Sequence, residues 1–257
     1  MGALFYEIFF RPLYNALILL YQAVPGTDLG VAIILLTLLV RLLLFPLVVR
    51  QFRSQRRLVA LQPKVEELRK SVKERGEQSQ RLLQLYREHG VSPAGGCLPL
   101  LLQLPVLWAM YTVLQRGLNG ESLSALYAFV PNPGTVNTVA FGFLDLATPA
   151  IQRGAAGFAV AWPALVLALL TGLVTYWQIK LTPLARPPHS AAADQAPAEQ
   201  MAHRMSQNMR FIVPLTTVYF TLTFPVGLAL YWFVTTLVAA LQQWVLLRPA
   251  RGHPGVV

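Results

Sequence analysis

A run of apolar residues from Leu29 to Val49 is long enough to cross a bilayer, and it contains a single arginine, Arg41. A membrane-spanning helix needs about 20 consecutive, predominantly apolar residues, and this run supplies them. An arginine near the middle of such a helix costs about 2.5–3.5 kcal/mol on insertion-based scales. The run therefore predicts a transmembrane helix in which water, an anion or a ligand meets the guanidinium group.

Two interpretations of Arg41 are open. In the first, the side chain snorkels to the headgroups, but Arg41 lies about 13 Å deeper than Arg50 at about 1.5 Å of helix rise per residue. That depth is about twice the reach of an extended arginine side chain. In the second, which we favour, Arg41 belongs to a polar site lined by protein. Thr37 lies four residues earlier on the same helical face, and Pro46 cannot donate a hydrogen bond to the carbonyl of Leu42.

The composition indicates a polytopic membrane protein. Of the 257 residues, 55% are hydrophobic and only 12% are charged, and the mean hydropathy is +0.50. The formal net charge is +10, and apart from Arg41, 17 of the other 20 Lys and Arg residues fall in residues 50–90, in residues 180–210 or after residue 247. By the positive-inside rule these three segments are cytoplasmic. The charge therefore predicts topology, and no DNA partner is expected.

The hydropathy and charge patterns predict an all-α polytopic membrane protein with five transmembrane helices. The amino terminus is predicted outside the membrane and the carboxyl terminus in the cytoplasm. The predicted order is an extracytoplasmic interfacial amphipathic helix (1–26), the first span (27–50), a cytoplasmic helical hairpin (51–92), the second span (93–116), an extracytoplasmic loop (117–157), the third span (158–180), a cytoplasmic linker (181–208), the fourth span (209–224), the fifth span (225–248) and a cytoplasmic tail (249–257).

The amino-terminal segment is predicted to be amphipathic because its polar residues recur at helical spacing. Glu7, Arg11, Asn15 and Gln22 form one stripe on an otherwise apolar helix, which is typical of a helix lying in the membrane interface. A signal peptide or signal anchor is the alternative. It is less favoured because the segment has no basic amino-terminal region and because charged residues interrupt its apolar core.

The charged segment after the first span predicts two paired helices. Apolar residues recur there at alternating intervals of three and four, a pattern typical of a helix–helix seam: Leu58, Leu61, Val65, Leu68 and Val72. The basic surface of this hairpin is predicted to face lipid headgroups, with contact to the ribosome or another macromolecule as the alternative. The Pro/Ala-rich residues 182–200 are predicted to be a disordered linker.

The span interiors offer little chemistry. They contain no Asp, Glu, Lys or His, so Arg41 is their only charged residue, and arginine does not titrate. All four histidines fall in segments predicted to be cytoplasmic, which argues against an intramembrane proton relay. The sequence shows no phosphate-binding glycine motif, no metal-ligand spacing and no nucleophile–base pair within the membrane. We therefore predict neither an enzyme nor a cofactor.

Five sequence blocks resemble the YidC/Oxa family of membrane protein insertases. They follow the family order across roughly residues 10–248, and together they are more specific than any one of them alone. The blocks are LTLLVRLLLFPL at 36–47, LQPK at 61–64, PAGGCLPLLLQLP at 93–105, FLDL at 143–146 and FPVGLALYW at 224–232.

The resemblance implies five core helices around a hydrophilic groove that is open to the cytoplasm and to lipid. It implies an insertase and chaperone in the bacterial plasma (inner) membrane, which inserts nascent membrane proteins alone or with the Sec translocon. Arg41 matches the family's groove arginine, and Thr37 and Gln103 match polar positions lining the groove. Tyr231 and Trp232 match an aromatic pair where substrate helices are thought to pass.

The sequence also departs from the family pattern, and other functions remain open. The chain is similar to the short form, which lacks the large extracytoplasmic domain. The tail after Leu247 holds only Arg248 and Arg251 as basic residues, which argues against docking of the ribosome through the tail.

The main alternative function is a small solute or anion transporter or channel in which Arg41 is the anion site. A third is an assembly scaffold without insertion activity.

Overall fold

Helices make up most of the chain in the computed structural model, which describes residues 2–72, 74–91, 98–117, 123–154, 157–182 and 197–247. We number the helices α1 (Ala3–Ala23), α2 (Leu29–Ala60), α3 (Gln62–Ser71), α4 (Arg75–Glu88), α5 (Leu98–Thr112), α6 (Trp162–Leu181), α7 (Pro197–Thr223) and α8 (Val226–Leu247). A π-helical turn, Tyr6–Phe10, lies within α1, and a second, Val113–Gly117, continues α5.

Four helices of the described chain are long and apolar enough to cross a membrane, namely α1, α2, α6 and α8. Helix α5 has only 15 residues before its π-helical turn, fewer than the roughly 20 of a typical span. Helix α7 has 27 residues, but it is continuously apolar only from Phe211 onwards. The sequence predicted five spans, whereas helix length and composition give four candidates in the described chain. Helix α1 meets these criteria for a span, and α5 and α7 do not.

Helix α2 is longer than the predicted first span. It begins where the Asp28 carboxylate accepts a hydrogen bond from the Val31 amide at 3.1 Å, a side-chain cap that satisfies one of the free amides of the first turn. It then continues through Pro46 to Ala60, over 32 residues. One helix therefore contains the apolar run and the start of the basic segment that follows it.

The segment between α5 and α6 contains two small β hairpins. We call residues 123–161 the cap segment. Within it, β1 (Val139–Ala140) pairs antiparallel with β2 (Leu144–Asp145), and β3 (Ile151–Gly154) pairs antiparallel with β4 (Gly157–Val160). The all-α prediction missed these strands because two to four residues are too few to show an alternating pattern. The chain is mostly helical, as predicted, with this β addition.

The polar stripe of α1 contacts the backbone of the cap segment. The Arg11 Nε and Asn15 Nδ2 atoms both donate to the Ala125 carbonyl, at 3.2 and 2.9 Å, and the Asn15 Oδ1 atom accepts from the Tyr127 amide at 2.7 Å. Two turns further on, Gln22 donates to the Pro131 carbonyl at 2.9 Å. The polar side chains of the stripe that predicted an amphipathic helix therefore find most of their hydrogen-bond partners in the backbone of the cap segment.

The largest buried cluster joins α1, α2, α5, the cap segment and α8. The cap segment is tied to the start of α8 by backbone hydrogen bonds from the Val226 amide to the Thr148 carbonyl and from the Gly227 amide to the Leu146 carbonyl, both at 2.9 Å. The fully buried side chains of this cluster include Tyr14, Leu17, Ile33, Met110, Leu146 and Val226. Helix α6 packs on both α7 and α8, and Gly172 lies directly against Val218 of α7.

Helices α3 and α4 follow α2 and pack against each other. Three of the five predicted seam residues, Leu61, Val65 and Val72, are buried. The Lys64 ammonium lies 2.9 Å from the His89 Nε2 atom and links the two helices. The predicted bend at residues 92–97, most of the predicted linker at 182–200 and the tail after residue 247 lie outside the described residues.

Candidate functional site

Arg41 is the thirteenth residue of α2 and lies one turn after the buried Leu36 and Thr37. Its side chain is partly exposed. Thr37, one turn earlier on the same face, is only 1% exposed. Its hydroxyl donates to the carbonyl of Ile33 in its own helix at 2.6 Å. Thr37 therefore uses its only hydroxyl proton within α2, and what remains for a ligand is the acceptor capacity of its oxygen.

Gln103 of α5 and Tyr231 of α8 are joined by a short hydrogen bond. The Gln103 Nε2 atom donates to the Tyr231 hydroxyl at 2.6 Å. Tyr231 is 3% exposed, and its hydroxyl also hydrogen-bonds with Thr235, one turn further along α8. Buried polar groups require such partners, because an unpaired one costs free energy in an apolar surrounding.

The third member of this cluster is Arg41, whose guanidinium interacts electrostatically with Tyr231. The structure therefore brings together side chains from three helices, with Arg41 on α2, Gln103 on α5 and Tyr231 on α8. Of the five residues singled out in the sequence, Gln103 and Tyr231 share a hydrogen bond and Arg41 interacts electrostatically with Tyr231. Thr37 lies one turn before Arg41 on α2. We call Arg41, Gln103 and Tyr231 the polar cluster.

Among the residues that the structure describes, no carboxylate forms an ion pair with Arg41. The apolar parts of α2, α5, α6, α7 and α8 contain no Asp or Glu. In the described part of the chain, the ion pairs join Arg11 to Glu7 and Arg81 to Glu77, at 3.2 and 2.6 Å. A permanent positive charge in an environment of low dielectric attracts anions more strongly than the same charge in water.

Trp232 does not belong to the polar cluster, although it follows Tyr231 in the chain. Successive residues of a helix point about 100° apart, and Trp232 faces a separate apolar cavity of about 330 Å³. This cavity opens between α5, α7 and α8, and its other lining residues are Leu107, Trp108, Tyr111, Phe220, Phe224 and Leu228. In the predicted aromatic pair, Tyr231 therefore belongs to the polar cluster, and Trp232 lines the apolar cavity.

The sequence reasoning missed Thr235 and the aromatic lining of the cavity. Thr235 is buried and lies four residues after Tyr231, so helical spacing from a singled-out tyrosine could have found it. The lining of the cavity comes from three helices that are distant in sequence, and no local pattern links them. Within the described ranges, no three His, Cys, Asp or Glu side chains cluster so as to hold a metal ion.

These features define a class of protein: a helical membrane protein in which apolar helices surround a polar, positively charged cluster. The model of the family described as 60Kd inner membrane protein matches residues 19–252 of the chain. The chain therefore belongs to the 60Kd inner membrane protein family.

The curated relatives carry the name membrane protein insertase YidC. The Campylobacter jejuni protein is 32% identical over 92% of this chain, which spans 37% of that relative. The Fusobacterium nucleatum protein is 30% identical over 85% of this chain, which spans 86% of that relative. The chain thus spans about a third of the length of some relatives and most of the length of others.

A solved structure shares the fold. It is described as an active YidC insertase crystal structure with the first transmembrane domain resolved. The match covers 93% of this chain and 47% of that one, at 26% sequence identity and a TM-score of 0.52. The likeness extends over nearly the whole chain.

Proposed function

We propose that this chain is a membrane protein insertase and chaperone, which receives nascent membrane proteins from the cytoplasm and releases them into the bilayer. The observation that carries the proposal is the polar cluster of a chain related to YidC insertases. In it Gln103 is hydrogen-bonded to Tyr231, and Tyr231 interacts electrostatically with Arg41. The comparisons support insertion as the activity, and the cluster supplies a physical basis for it.

Arg41 receives the polar end of the substrate. Its charge lacks a carboxylate partner within the apolar helices, so acidic residues of a translocated tail are attracted to it, and the low surrounding dielectric strengthens that attraction. Gln103 and Tyr231 add amide and hydroxyl groups that hydrogen-bond the substrate backbone. A polar, hydrated groove at this depth shortens the distance over which the tail must be desolvated.

The apolar cavity beside Trp232 receives the hydrophobic segment of the same substrate. Its lining is aromatic and aliphatic, and it opens between α5, α7 and α8. Transfer of an apolar helix out of water releases about 25 cal/mol per Å² of buried apolar surface. This free energy drives insertion, so the mechanism uses neither nucleotide hydrolysis nor a cofactor.

The proposed architecture has five spans, α2, α5, α6, α7 and α8, around a groove open to the cytoplasm and to lipid. Helices α3 and α4 form a cytoplasmic hairpin, the carboxyl terminus is cytoplasmic, and the protein resides in the bacterial plasma membrane. Nascent chains and lipids are its partners, the Sec translocon and the ribosome are further candidates, and DNA is not one.

Helix α1 is proposed to lie at the extracytoplasmic interface, although its length would allow it to span. Its side chains hydrogen-bond the irregular backbone of the cap segment from Ala125 to Pro131. Irregular backbone is not tolerated against the hydrocarbon interior, which supports a position at the surface. The amino-terminal part of α1 also packs on α5.

The test of the insertase proposal is insertion by the purified, reconstituted protein. We expect Arg41→Ala to impair insertion of substrates with acidic tails about tenfold, whereas Arg41→Lys retains most of the activity because it keeps the charge. The matched control is Arg53→Ala, which removes an exposed arginine of the same helix. Substrates with uncharged tails should be affected much less.

The outcomes separate the alternative functions. Equal insertion by the unmodified protein and by both Arg41 variants would refute the charge mechanism. Anion flux in empty liposomes that depends on Arg41 would instead favour the transporter or channel. Binding of nascent chains without insertion would favour the assembly scaffold.

A further inference from the structure

The turn between β1 and β2 presents two phenylalanine rings outwards. Phe141 is 41% exposed and Phe143 is 66% exposed, and their ring centroids lie 6.3 Å apart. Exposed aromatic pairs are uncommon on a water-facing surface, because burying each ring removes a large apolar area from water. The proposed groove and cavity involve neither ring.

The backbone of this turn is held in a conformation that its sequence does not favour. Phe141 has a φ of 55° and Gly142 has a φ of 78°. Glycine adopts positive φ freely, but a bulky residue there is a genuine outlier. Asparagine or glycine would adopt this conformation with less strain than phenylalanine. Strain of this kind points from an observed outlier to a function.

The turn is fixed at the amino-terminal end of α2. The Phe141 amide donates to the Asp28 Oδ2 atom at 2.6 Å. The Phe141 ring lies against Gly30, where an added Cβ would come within 2.9 Å of the ring. Gly30 is the second residue of α2, so both rings stand at the level where this apolar helix enters the membrane. The exposed Leu35 lies only about 8 Å further along the helix at about 1.5 Å per residue.

The surface around the rings carries little charge. The Asp28 carboxylate is occupied by the Val31 and Phe141 amides. The Asp145 carboxylate accepts hydrogen bonds from the Ala147 amide and from the hydroxyl of Thr148. Residues 126–152 contain no Lys or Arg. The tip of the turn is therefore apolar, and the two nearby carboxylates accept hydrogen bonds from groups of the protein itself.

We propose that the turn Phe141–Gly142–Phe143 is a lipid anchor, whose two rings insert into the boundary between headgroups and acyl chains at the amino-terminal end of α2. Aromatic side chains are enriched at this level of the bilayer. Trp162, the first residue of α6, and Phe129 are each 72% exposed, and they extend the same aromatic belt. The anchor rests on the membrane location of α2 and does not depend on insertase activity.

The experiment measures the environment of a nitroxide spin label in the full chain, reconstituted in vesicles of phosphatidylethanolamine and phosphatidylglycerol. A Cys97→Ser background carries one labelled cysteine at a time. Phe143→Cys reports on the anchor, Thr135→Cys on an exposed site of the same cap segment, and Leu42→Cys on the lipid-facing surface of α2, where Leu42 is 69% exposed. Power saturation compares collisions with oxygen, which partitions into lipid, and with nickel-EDDA, which stays in water.

We expect the label at position 143 to collide with oxygen severalfold more often than with nickel-EDDA, as at position 42, whereas position 135 shows the reverse ratio. A label at position 129 should behave like the one at 143. A ratio at 143 equal to that at 135 overturns the anchor, because the ring then faces water. Slow collisions with both reagents also overturn it, because a protein, either a second copy or another partner, then covers the turn. No substrate is present, so the result does not depend on whether the chain inserts proteins.

Discussion

Gln103 and Tyr231 are separated by 128 positions in the sequence, and the 2.6 Å hydrogen bond between them joins α5 to α8 inside the protein. Because Tyr231 also interacts electrostatically with Arg41, this bond holds one polar neighbour of the guanidinium in place. The relative placement of three helices and the chemistry of the proposed groove therefore depend on the same contact.

The bond can be measured by a double-mutant cycle of Gln103→Leu and Tyr231→Phe. We expect a coupling of about 1 kcal/mol in the free energy of unfolding, the ordinary net value of an intramolecular hydrogen bond. The measurement is reversible unfolding in mixed detergent micelles, with Thr216→Val as a control that removes an exposed hydroxyl. Strictly additive effects of the two substitutions would show that the contact contributes no stability.

Asn15 should be more important for stability than the charged residues near it. It is 2% exposed, and its amide bonds the Arg11 and Ala125 carbonyls and the Tyr127 amide. Asn15→Leu leaves buried backbone groups unsatisfied, at about 1–3 kcal/mol. Glu7→Gln removes an exposed ion pair and should cost at most about 1 kcal/mol. Thermal unfolding in detergent tests both, and equal effects would contradict the assignment.

Asp28 connects α2 to the cap segment, so its replacement should affect both. Asp28→Ala removes the N-cap side chain of α2, which contributes about 1 kcal/mol to the free energy of unfolding. It also removes the hydrogen-bond acceptor of the Phe141 amide. We expect hydrogen exchange at Phe141 to accelerate more than tenfold. Asp28→Asn retains one acceptor oxygen, enough for either the Val31 or the Phe141 amide but not for both, so we expect an exchange rate between those of the native protein and the alanine variant. If the alanine variant exchanges at the original rate, the amide is protected by another group.

Gly172 lets α6 and α7 approach closely, and its replacement should be costly. An added Cβ would overlap Val218, and excess volume at a packed contact typically costs about 1–3 kcal/mol. Gly172→Ala should therefore destabilise the protein, and the additional change Val218→Ala should restore part of the loss. Leu173→Phe enlarges a side chain that is 63% exposed, and it should leave the free energy of unfolding nearly unchanged.

Much of the polar cluster could be predicted from the sequence because its members break a strong pattern. Arg41 and Gln103 are polar residues in apolar runs, and such residues need a partner wherever the chain folds. The same logic did not separate Tyr231 from Trp232, because an aromatic pair in a sequence does not show which ring faces which surface. The direction of each ring is set by the rotation of α8 against α5 and α7, which is a property of tertiary packing.

The polar stripe of α1 shows a different limit of the sequence. Its helical spacing correctly identified one polar face, but a polar face is satisfied equally well by water, by headgroups or by backbone groups of another segment. In the structure, the polar face of α1 hydrogen-bonds carbonyl and amide groups of the cap segment. Residues 125–131 of that segment show no periodicity from which this pairing could be predicted. The strands of the cap segment were missed for a related reason, since two to four residues carry no period.

The uninterrupted course of α2 has a mechanical consequence. At about 1.5 Å per residue its 32 residues span about 48 Å, with the cap segment attached at one end and Arg56 bonded to the Leu246 carbonyl near the other. The helix therefore connects the cap segment mechanically to the end of α8. Its point of least stiffness is Pro46, which leaves the Leu42 carbonyl without its helical donor. A bending force on either end is therefore concentrated between Leu42 and Pro46, next to Arg41, the residue whose charge we propose receives the substrate.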